Sequence, residues 1–436
     1  MTHASAVPAA PCHIGFTAPA FPSHWRALEA LAQVLIARGH RATFFHQPDA
    51  ATLLADPAIG FHAVGADTHP PGSLPAVLKR AASPGSPLGL RRVIQDMAAT
   101  TDMLCRELPQ ALRGTGVDLL VCDQMEAAGG LVAEALGLPC VSVACALPIN
   151  REPGIPLPVM PWGYAVTPRD HEVQRASARV YDQMMGAHAR VIEAHAHAFG
   201  LAPRRALHDC LSTVAQISQT TPSFDFPRQA PPPGYHAVGP LRAPVAQVMP
   251  ELGLSEQRPF VFASLGTLQG QRRALLSRIA RACQRQNVQV LIAHCGGLTE
   301  REAEALRVPG EVWVTGFAPQ QAVLERADAV ISHAGLNTAL DACAAGKPVL
   351  ALPIAFDQPG VAARLVHAGA GLKASPRWAS SRTLGNLLRR LLDEPAFAVN
   401  ARRLGAELAS AGGASRAADV IEQVAARGAP QHADAA

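Results

Sequence analysis

Short apolar runs alternate with a longer amphipathic segment at the beginning of the chain. Cys12–Thr17 and Ala42–His46 are apolar runs of strand length, and Trp25–Arg38 between them has apolar residues at helical spacing. This order is typical of a β-α-β unit, which places its two strands parallel in one sheet. Apolar runs at Asp118–Cys122 and Leu138–Val143 continue the pattern and predict further strands of that sheet.

The same alternation starts again in the second half of the chain, after a proline-rich break at residues 229–234. Five more apolar runs of strand length follow the break: Pro259–Ser264, Val288–Ala293, Val312–Thr315, Ala329–Ser332 and Val349–Leu352. We therefore predict an α/β protein with two doubly wound parallel sheets. Residues 1–235 would form the first domain and residues 236–428 the second, with the linker between 229 and 245.

Four segments complete the predicted organisation. Residues 148–163 are rich in Pro and Gly and predict a loop, whereas Arg175–Phe199 is Ala-rich and predicts one helix. Ser415 is a suitable N-cap for a last helix that ends near Arg427. The polar residues 429–436 are expected to form a disordered tail.

Composition narrows the class of protein. The 436 residues contain nine cysteines without C-x-x-C spacing, and the formal net charge is +4. Scattered thiols favour a reducing cytoplasm without structural zinc, and the absence of a basic cluster interleaved with aromatic residues makes nucleic acid an unexpected partner. The chain shows neither a signal-peptide pattern nor an apolar run of about 18–20 residues, so we expect a cytoplasmic protein.

Polar residues cluster at a predicted strand–helix junction in the second half. Ala329–Ile331 is strand-like, a Gly-containing turn interrupts it, and Leu336–Ala345 has a helical pattern. The start of a helix directs unpaired N–H groups and the positive end of its dipole at one point. His333, Asn337 and Thr338 surround that point and can donate hydrogen bonds to phosphate oxygens.

Flanking residues suit the remaining parts of a nucleotide sugar. Asp341 lies one helical turn further and can accept hydrogen bonds from ribose hydroxyls, while Phe317 offers a flat face for a base. Asp357 and Gln358 follow the next predicted strand and can bond to sugar hydroxyls. Taken singly, the residues at the helix start could merely cap a helix of an α/β domain. Taken together and in this order, they favour a nucleotide-sugar site.

Two residues in the first half suggest acid–base chemistry. His24 starts the helix after the first strand, where the helix dipole disfavours imidazolium and leaves a neutral base. Asp123 lies at the carboxyl end of the predicted strand that closes at Cys122, and it could accept a bond from the His24 ring. Each could instead be structural, and Asp118 competes with Asp123, although Asp118 starts the strand and should lie at the wrong end. His188, His195 and His197 are interpreted as surface residues.

These motifs resemble the signature of the family 1 UDP-glycosyltransferases, which are inverting enzymes with the two-domain GT-B fold. Residues 317–320 (FAPQ) are similar to the family's W-A-P-Q element, and residues 333–338 (HAGLNT) to its H-C-G-W-N-S element. Asp341 stands where the family has a ribose-binding Glu. Phe for the first Trp keeps a stacking face, whereas Leu336 for the second Trp loses a sugar contact.

The resemblance implies a donor site in the second domain and a catalytic pair in the first. Residues 264–267 (SLGT) are similar to a turn that contacts the diphosphate, although they could form an ordinary βα turn. The implied catalytic pair is His24 and Asp123. The implied donor-binding residues are Ser264, Gly266, Thr267, Phe317, Ala318, Gln320, His333, Gly335, Asn337, Thr338, Asp341, Asp357 and Gln358. No metal and no cofactor are expected, because the chain lacks an Asp-x-Asp motif.

The loop Cys145–Trp162 and the opening of the chain resemble those of bacterial zeaxanthin glucosyltransferases. This resemblance implies transfer of glucose from UDP-glucose to the ring hydroxyls of a carotenoid, zeaxanthin, with inversion to β-glucosides. An apolar groove could use the methionines of the first half, which could equally be ordinary core: Met97, Met103, Met125, Met160, Met184 and Met185. Such an acceptor implies peripheral contact with the inner face of the membrane.

Two alternatives remain at this point. The first is a family 1 enzyme for another lipophilic acceptor, such as a macrolide, a sterol or a flavonoid. The second is a nucleotide-sugar binding protein without catalysis, against which the presence of both His24 and Asp123 argues.

Overall fold

The chain folds around two parallel β-sheets. The computed structural model describes residues 11–83, 86–243 and 247–428. In sheet order, the strands of the first sheet are β3 (Gly60–Ala63), β2 (Arg41–His46), β1 (His13–Thr17), β4 (Leu119–Asp123), β5 (Cys140–Ala144), β6 (Ala215–Ser218) and β7 (Tyr235–Ala237). Those of the second sheet are β10 (Val312–Thr315), β9 (Gln289–Ala293), β8 (Phe260–Ser264), β11 (Ala329–Ser332), β12 (Val349–Ala351) and β13 (Gly371–Lys373).

Helices cover the two sheets. Those of the first half are α1 (Pro22–Ala37), α2 (Leu74–Ala82), α3 (Pro87–Thr115), α4 (Ala127–Leu136), α5 (Pro168–Met184) and α6 (Gly186–Ala198). Those of the second half are α7 (Arg273–Arg285), α8 (Glu300–Glu304), α9 (Gln320–Arg326), α10 (Leu336–Ala344), α11 (Gln358–His367), α12 (Ser381–Asp393), α13 (Pro395–Ser410) and α14 (Gly413–Gly428). The structure confirms the predicted doubly wound parallel sheets, and residues 148–163 form a loop as predicted.

The division between the two halves differs from the prediction at two places. The predicted boundary at residue 235 falls on β7, which pairs with β6 in the first sheet. Helix α14, predicted within the second domain, packs on the first one, where Ala417 and Ile421 join the core beside Leu31 and Leu35. The apolar face of α14 is buried there because the chain crosses back after α13. The predicted tail, 429–436, lies outside the described residues.

The single helix predicted for Arg175–Phe199 is wrong. Two helices are present, α5 and α6, and they meet at Met185. Gly186 begins α6, and glycine is a weak residue for carrying one helix through such a point. Helix α5 starts earlier than predicted because Thr167, its N-cap, and Asp170, in its first turn, form a capping box.

The strand order reverses between β1 and β4 in the first sheet and between β8 and β11 in the second. In open α/β sheets, ligands bind beside the carboxyl ends of the strands at such reversal points. A buried ion pair joins the two halves, because the Nε atom of Arg364 on α11 donates to Asp225 in the segment after β6. Residues that follow β1, such as His24, and residues that follow β11, such as His333, line one cleft.

Candidate active site

Both domains line a cleft of about 1580 Å³. His24 is in its wall, with Asp123 behind His24 and away from the surface. Every residue predicted to bind the donor lines this cleft: Ser264, Gly266, Thr267, Phe317, Ala318, Gln320, His333, Gly335, Asn337, Thr338, Asp341, Asp357 and Gln358. The sequence-predicted site residues are thus brought together, although they come from separate segments of the chain.

The predicted catalytic pair is in contact. The Nδ1 atom of His24, in the first turn of α1, lies 2.7 Å from Oδ2 of Asp123, the last residue of β4. The other carboxylate oxygen of Asp123 accepts a hydrogen bond of 2.7 Å from the backbone N–H of Met125. The carboxylate is fully buried, while the His24 side chain keeps 14% of its surface exposed. With Nδ1 engaged, Nε2 is the nitrogen left for a ligand.

Charge sets the ionisation of His24. Burial lowers the pKa of His24, but the negative charge and the hydrogen bond of Asp123 raise it, and Asp357 acts in the same direction. The pKa therefore lies above the ordinary value of histidine. This direction is opposite to the one expected from the helix dipole, because a carboxylate in direct contact has a larger effect than a helix end. The availability of neutral His24 as a base near pH 7 stays a prediction.

Cys145, in the segment after β5, joins this pair. Among the residues that the structure describes, His24, Asp123 and Cys145 form a group whose ligating atoms lie within 4.8 Å of one another. Burial raises the pKa of the Cys145 thiol well above its usual value, which favours the protonated thiol. A cysteine that binds a metal must instead be a thiolate. A cation would also have to compete for Nδ1 of His24. The donor set fits a metal poorly, and the expectation of no metal stays a prediction.

His333 lies between two glycines. A Cβ atom on Gly266 would be 2.6 Å from Cε1 of His333, and one on Gly335 would be 2.6 Å from Nε2. Burial lowers the pKa of His333 to about 4 and outweighs a hydrogen bond with the Ser264 backbone that acts in the opposite direction. The imidazole is therefore neutral near pH 7, and its single N–H donates to the Ser264 backbone.

Three consecutive helices of the second domain begin at the cleft. Gln320 starts α9, Leu336 starts α10 and Gln358 starts α11. The N-cap of α10 is Gly335, which has no side chain to bond the first N–H groups, and Ala334 before it has a left-handed φ of 63°. The first turn of α10 therefore presents its N–H groups and its positive dipole end to the cleft, as the sequence predicted for a phosphate site.

The carboxylate of Asp341 is already engaged. Its Oδ1 accepts a hydrogen bond of 2.8 Å from Nε of Arg242, and its Oδ2 accepts one of 2.7 Å from Nε2 of Gln320. Sequence reasoning missed Arg242, which follows β7 in the linker. The sequence shows Arg242 as a cation shortly after the proline-rich break. No local pattern relates a linker residue to Asp341, so its contact could not be predicted.

The remaining donor residues lie at the rim or against the first domain. Phe317 is 66% exposed, so its ring is open for stacking. Asp357 accepts a hydrogen bond of 3.2 Å from the N–H of Leu147, and burial raises the pKa of Asp357. The side-chain oxygen of Gln358 accepts bonds of 2.8 Å from the N–H groups of Ile354 and Ala355. The amide N–H₂ of Gln358 is the end left to donate.

The first-domain half of the cleft is largely apolar. Its walls include Leu78, Val93, Ile94, Met97, Met125, Leu157, Met160, Met184 and Met185. Five of the six methionines considered from the sequence line the cleft, whereas Met103 belongs to the buried core. An apolar wall containing flexible thioethers suits a bulky lipophilic ligand.

A buried polar group interrupts the apolar wall. The hydroxyl of Thr101 donates to Oε1 of Glu126 at 2.7 Å and lies 2.9 Å from Nε2 of His188. Burial raises the pKa of Glu126 to about 7 and lowers that of His188 to about 4. The interpretation of His188 as a surface residue is wrong, because α6 packs on α3 and buries it. His195 bonds to Asp102 at 2.8 Å.

Comparison with known proteins identifies the family to which this architecture belongs. A family profile described as "Erythromycin biosynthesis protein CIII-like, C-terminal domain" matches residues 290–425. The zeaxanthin glucosyltransferase of Pantoea ananas is 50% identical over 96% of this chain and 97% of that protein. The zeaxanthin glucosyltransferase of Pseudescherichia vulneris is 45% identical over 94% of this chain and 97% of that protein.

The solved structure of the calicheamicin glycosyltransferase CalG4 superposes with a TM-score of 0.72 and 21% identity, covering 97% of this chain and 100% of that one. This likeness concerns the fold, while the nearly full-length relatives establish the family. The predicted GT-B architecture and the predicted family are both confirmed, and the chain belongs to the family 1 glycosyltransferases.

Proposed function

We propose that this enzyme transfers glucose from UDP-glucose to the ring hydroxyls of zeaxanthin and forms β-glucosides. The observation that carries the proposal is the His24–Asp123 pair, because His24 lines the same cleft as the neutral His333 and the open start of α10. The acceptor follows from the two relatives named as zeaxanthin glucosyltransferases, which match nearly the whole chain. The apolar lining of the first-domain half suits a polyene.

The proposed reaction is a single displacement. Nε2 of His24 accepts the proton of the acceptor hydroxyl while the hydroxyl oxygen attacks the anomeric carbon. The bond between that carbon and the diphosphate oxygen breaks, and UDP leaves with the electron pair. Asp123 stabilises the imidazolium that forms, which is the role of the acid in a His–Asp pair. One attack from the opposite side inverts the anomeric centre.

Different donor-binding residues contact different parts of the nucleotide sugar. Phe317 stacks on the uracil, and Asp341 accepts hydrogen bonds from the ribose hydroxyls. The first turn of α10 and the turn at Ser264–Thr267 stabilise the charge of the leaving diphosphate, and His333 packs between these two segments. Asp357 and Gln358 bond to the glucose hydroxyls. Preorganised donors of this kind account for a large share of catalysis in many enzymes.

Product analysis tests this proposal directly. Zeaxanthin incubated with enzyme and UDP-glucose should gain the mass of one or two hexosyl groups. A panel containing a macrolide, a sterol and a flavonoid distinguishes the proposed acceptor from other lipophiles. The His24→Ala variant should lose transfer while binding UDP normally in calorimetry. Unchanged turnover of that variant would exclude His24 as the base, and absence of UDP binding by the wild type would exclude the donor.

The acceptor also bears on where the enzyme works. Among the described helices, none is both long and apolar enough to cross a membrane. Helix α5 has no buried residues, and Val180 on it is 56% exposed; Leu88 on α3 is 71% exposed. Both helices also contribute cleft-lining residues, Met184 and Leu90. Leu88 and Val180 are called here the apolar rim of the cleft. The proposal includes peripheral contact of this apolar rim with a membrane surface, from which a carotenoid would enter the cleft.

A further inference from the structure

The guanidinium group of Arg242 makes contacts through all three of its nitrogens. Nε donates to Oδ1 of Asp341 at 2.8 Å, and Nη1 donates to Oε1 of Gln219 at 2.9 Å and to the carbonyl of Leu241 at 2.8 Å. Nη2 lies 3.1 Å from the carbonyl and 3.2 Å from Oδ1 of Asn337. This side chain belongs to the linker, yet its partners come from both domains.

Two of these partners are predicted donor-binding residues on one helix, α10. Asp341 receives one hydrogen bond on each carboxylate oxygen, from Arg242 and from Gln320. A carboxylate has about four lone-pair sites, so each oxygen keeps the capacity to accept another bond. The two contacts therefore fix the plane of the carboxylate without saturating it, and a vicinal diol is the group that matches two neighbouring acceptors.

The same network reaches the catalytic segment of the first domain. Nδ2 of Asn337 donates to the carbonyl of Ser23 at 3.1 Å, next to His24 in the chain. Nε2 of Gln219 donates to the carbonyl of Cys145 at 3.0 Å, and Gln219 is fully buried. Arg242 is thus connected through one residue to the backbone beside His24 and through another to the residue that contacts the catalytic pair.

We propose that Arg242 is a positioning residue of the donor site, which orients Asp341 so that the enzyme distinguishes ribose from 2′-deoxyribose. This inference rests on the proposed UDP donor. A ribose presents two hydroxyls to the oriented carboxylate, whereas a 2′-deoxyribose leaves one oxygen of this partly buried carboxylate without its second hydrogen bond. Because Arg is planar and forked, it orients a carboxylate in a way that a lysine ammonium cannot.

Calorimetric binding of UDP and 2′-deoxy-UDP to the full chain tests the inference without the acceptor. The wild type should bind UDP about 10- to 100-fold more tightly than 2′-deoxy-UDP, as for one hydrogen bond to a charged group. In Arg242→Ala this ratio should fall to about 3 or less, and the same fall is expected for Asp341→Asn and for the double variant. Arg390→Ala, which removes an exposed ion pair with Glu394, should keep the wild-type ratio.

The ratio of the two affinities distinguishes a positioning role of Arg242 from a merely structural one, because general loosening of the site weakens the binding of both nucleotides equally. If Arg242→Ala unfolds, Arg242→Lys keeps the charge and should still lose the ratio. A wild-type ratio retained in the folded Arg242 variant, or no preference in the wild type, would overturn the inference alone. Absence of UDP binding by the wild type would overturn the inference together with the proposed donor.

Discussion

The Nδ1 atom of His24 lies 2.7 Å from Oδ2 of Asp123, although 99 positions separate the two residues. They meet because β1 and β4 are adjacent parallel strands, so the loop after one strand lies beside the end of the other. Because Nδ1 of His24 bonds to this carboxylate, Nε2 is the nitrogen that remains available to the acceptor substrate. It also raises the pKa of His24 above its ordinary value, against the effect of burial.

Replacing the carboxylate of this pair should change the pH dependence as well as the rate. In the wild type, kcat/KM should fall as the pH drops through the raised pKa of His24, because a protonated imidazole is not a base. Asp123→Asn removes the raising charge, so burial lowers the pKa and the acid limb moves to lower pH. The plateau should drop by about 10²- to 10⁴-fold.

A pH–rate profile of both proteins, with UDP affinity measured in parallel, checks this prediction. UDP binding should stay within a few-fold of the wild type, because Asp123 does not line the cleft. An acid limb that keeps its position in Asp123→Asn would contradict the assignment of that limb to His24.

The space around His333 can be tested with one methyl group. Gly335 has an ordinary φ of −61°, so Gly335→Ala introduces no backbone strain, but its Cβ would lie 2.6 Å from Nε2 of His333. We expect the imidazole to move and to disturb the turn whose N–H groups bind the diphosphate, so UDP affinity should fall about 10-fold or more, as for a lost hydrogen bond to a charged group. Gly114→Ala in α3 is the matched control, because an added Cβ there would meet no atom within 4 Å outside the adjoining helix backbone. Calorimetry with UDP would contradict the prediction if the two variants bound equally well.

Glu126 should make the protein less stable as the pH rises from about 4.5 to about 7. Burial, aided by Asp123, raises its pKa to about 7 from an ordinary 4.5, despite hydrogen bonds from Ala128 and Thr101. Between these two pH values the native state retains a proton that the unfolded state releases, so stability falls as the pH rises through the window. Relative to Glu126→Gln, the wild type should lose up to about 3 kcal/mol across it.

Urea unfolding of the wild type and Glu126→Gln at pH 5 and pH 8 measures this difference. The gap in the free energy of unfolding should widen in favour of the variant at pH 8. An equal gap at both pH values would show that the carboxyl group titrates alike in the folded and unfolded states.

The buried ion pair between the domains should contribute strongly to stability. Arg364 is fully buried, its Cζ atom lies 4.5 Å from the ring centre of Phe226, and its partner Asp225 is also buried. Although burial raises the pKa of Asp225, Arg364 and Arg228 outweigh it and lower the pKa. Arg364→Met should cost about 3–5 kcal/mol, because it leaves Asp225 without one of its partners.

Equilibrium unfolding in urea measures this cost, with Arg390→Ala as the surface control. The control should change the free energy of unfolding by less than about 1 kcal/mol. A cost for Arg364→Met no larger than that of the control would mean that Arg228 alone compensates the buried carboxylate.

The apolar rim of the cleft should determine sedimentation with lipid vesicles. The wild type is expected to sediment with vesicles that contain anionic lipid, and the double variant Leu88→Asp, Val180→Asp should remain largely in the supernatant. The matched control is Val399→Asp on α13, which is 52% exposed but belongs to the second domain. Equal sedimentation of both variants would remove the rim from the proposal.

Much of the donor site could be predicted because its parts are local. Residues 317–358 contain two strand ends and three helix starts, so spacing alone places His333, Asn337 and Asp341 near one another. The strand Ala329–Ser332 was predicted with its observed bounds. Helix α5 was misjudged at both ends, since a capping box and a glycine at the next helix act over only a few residues.

By itself, the sequence determined the parallel sheets, the family and the segments that face the cleft, because these follow from short-range periodicity and from motifs. Only the tertiary structure decided that α14 returns to the first domain, that Arg242 contacts Asp341, and that His188 and Glu126 are buried together. It also decided the direction in which the pKa of His24 shifts. Each depends on which distant surfaces meet, and burial and charge act through space rather than along the chain.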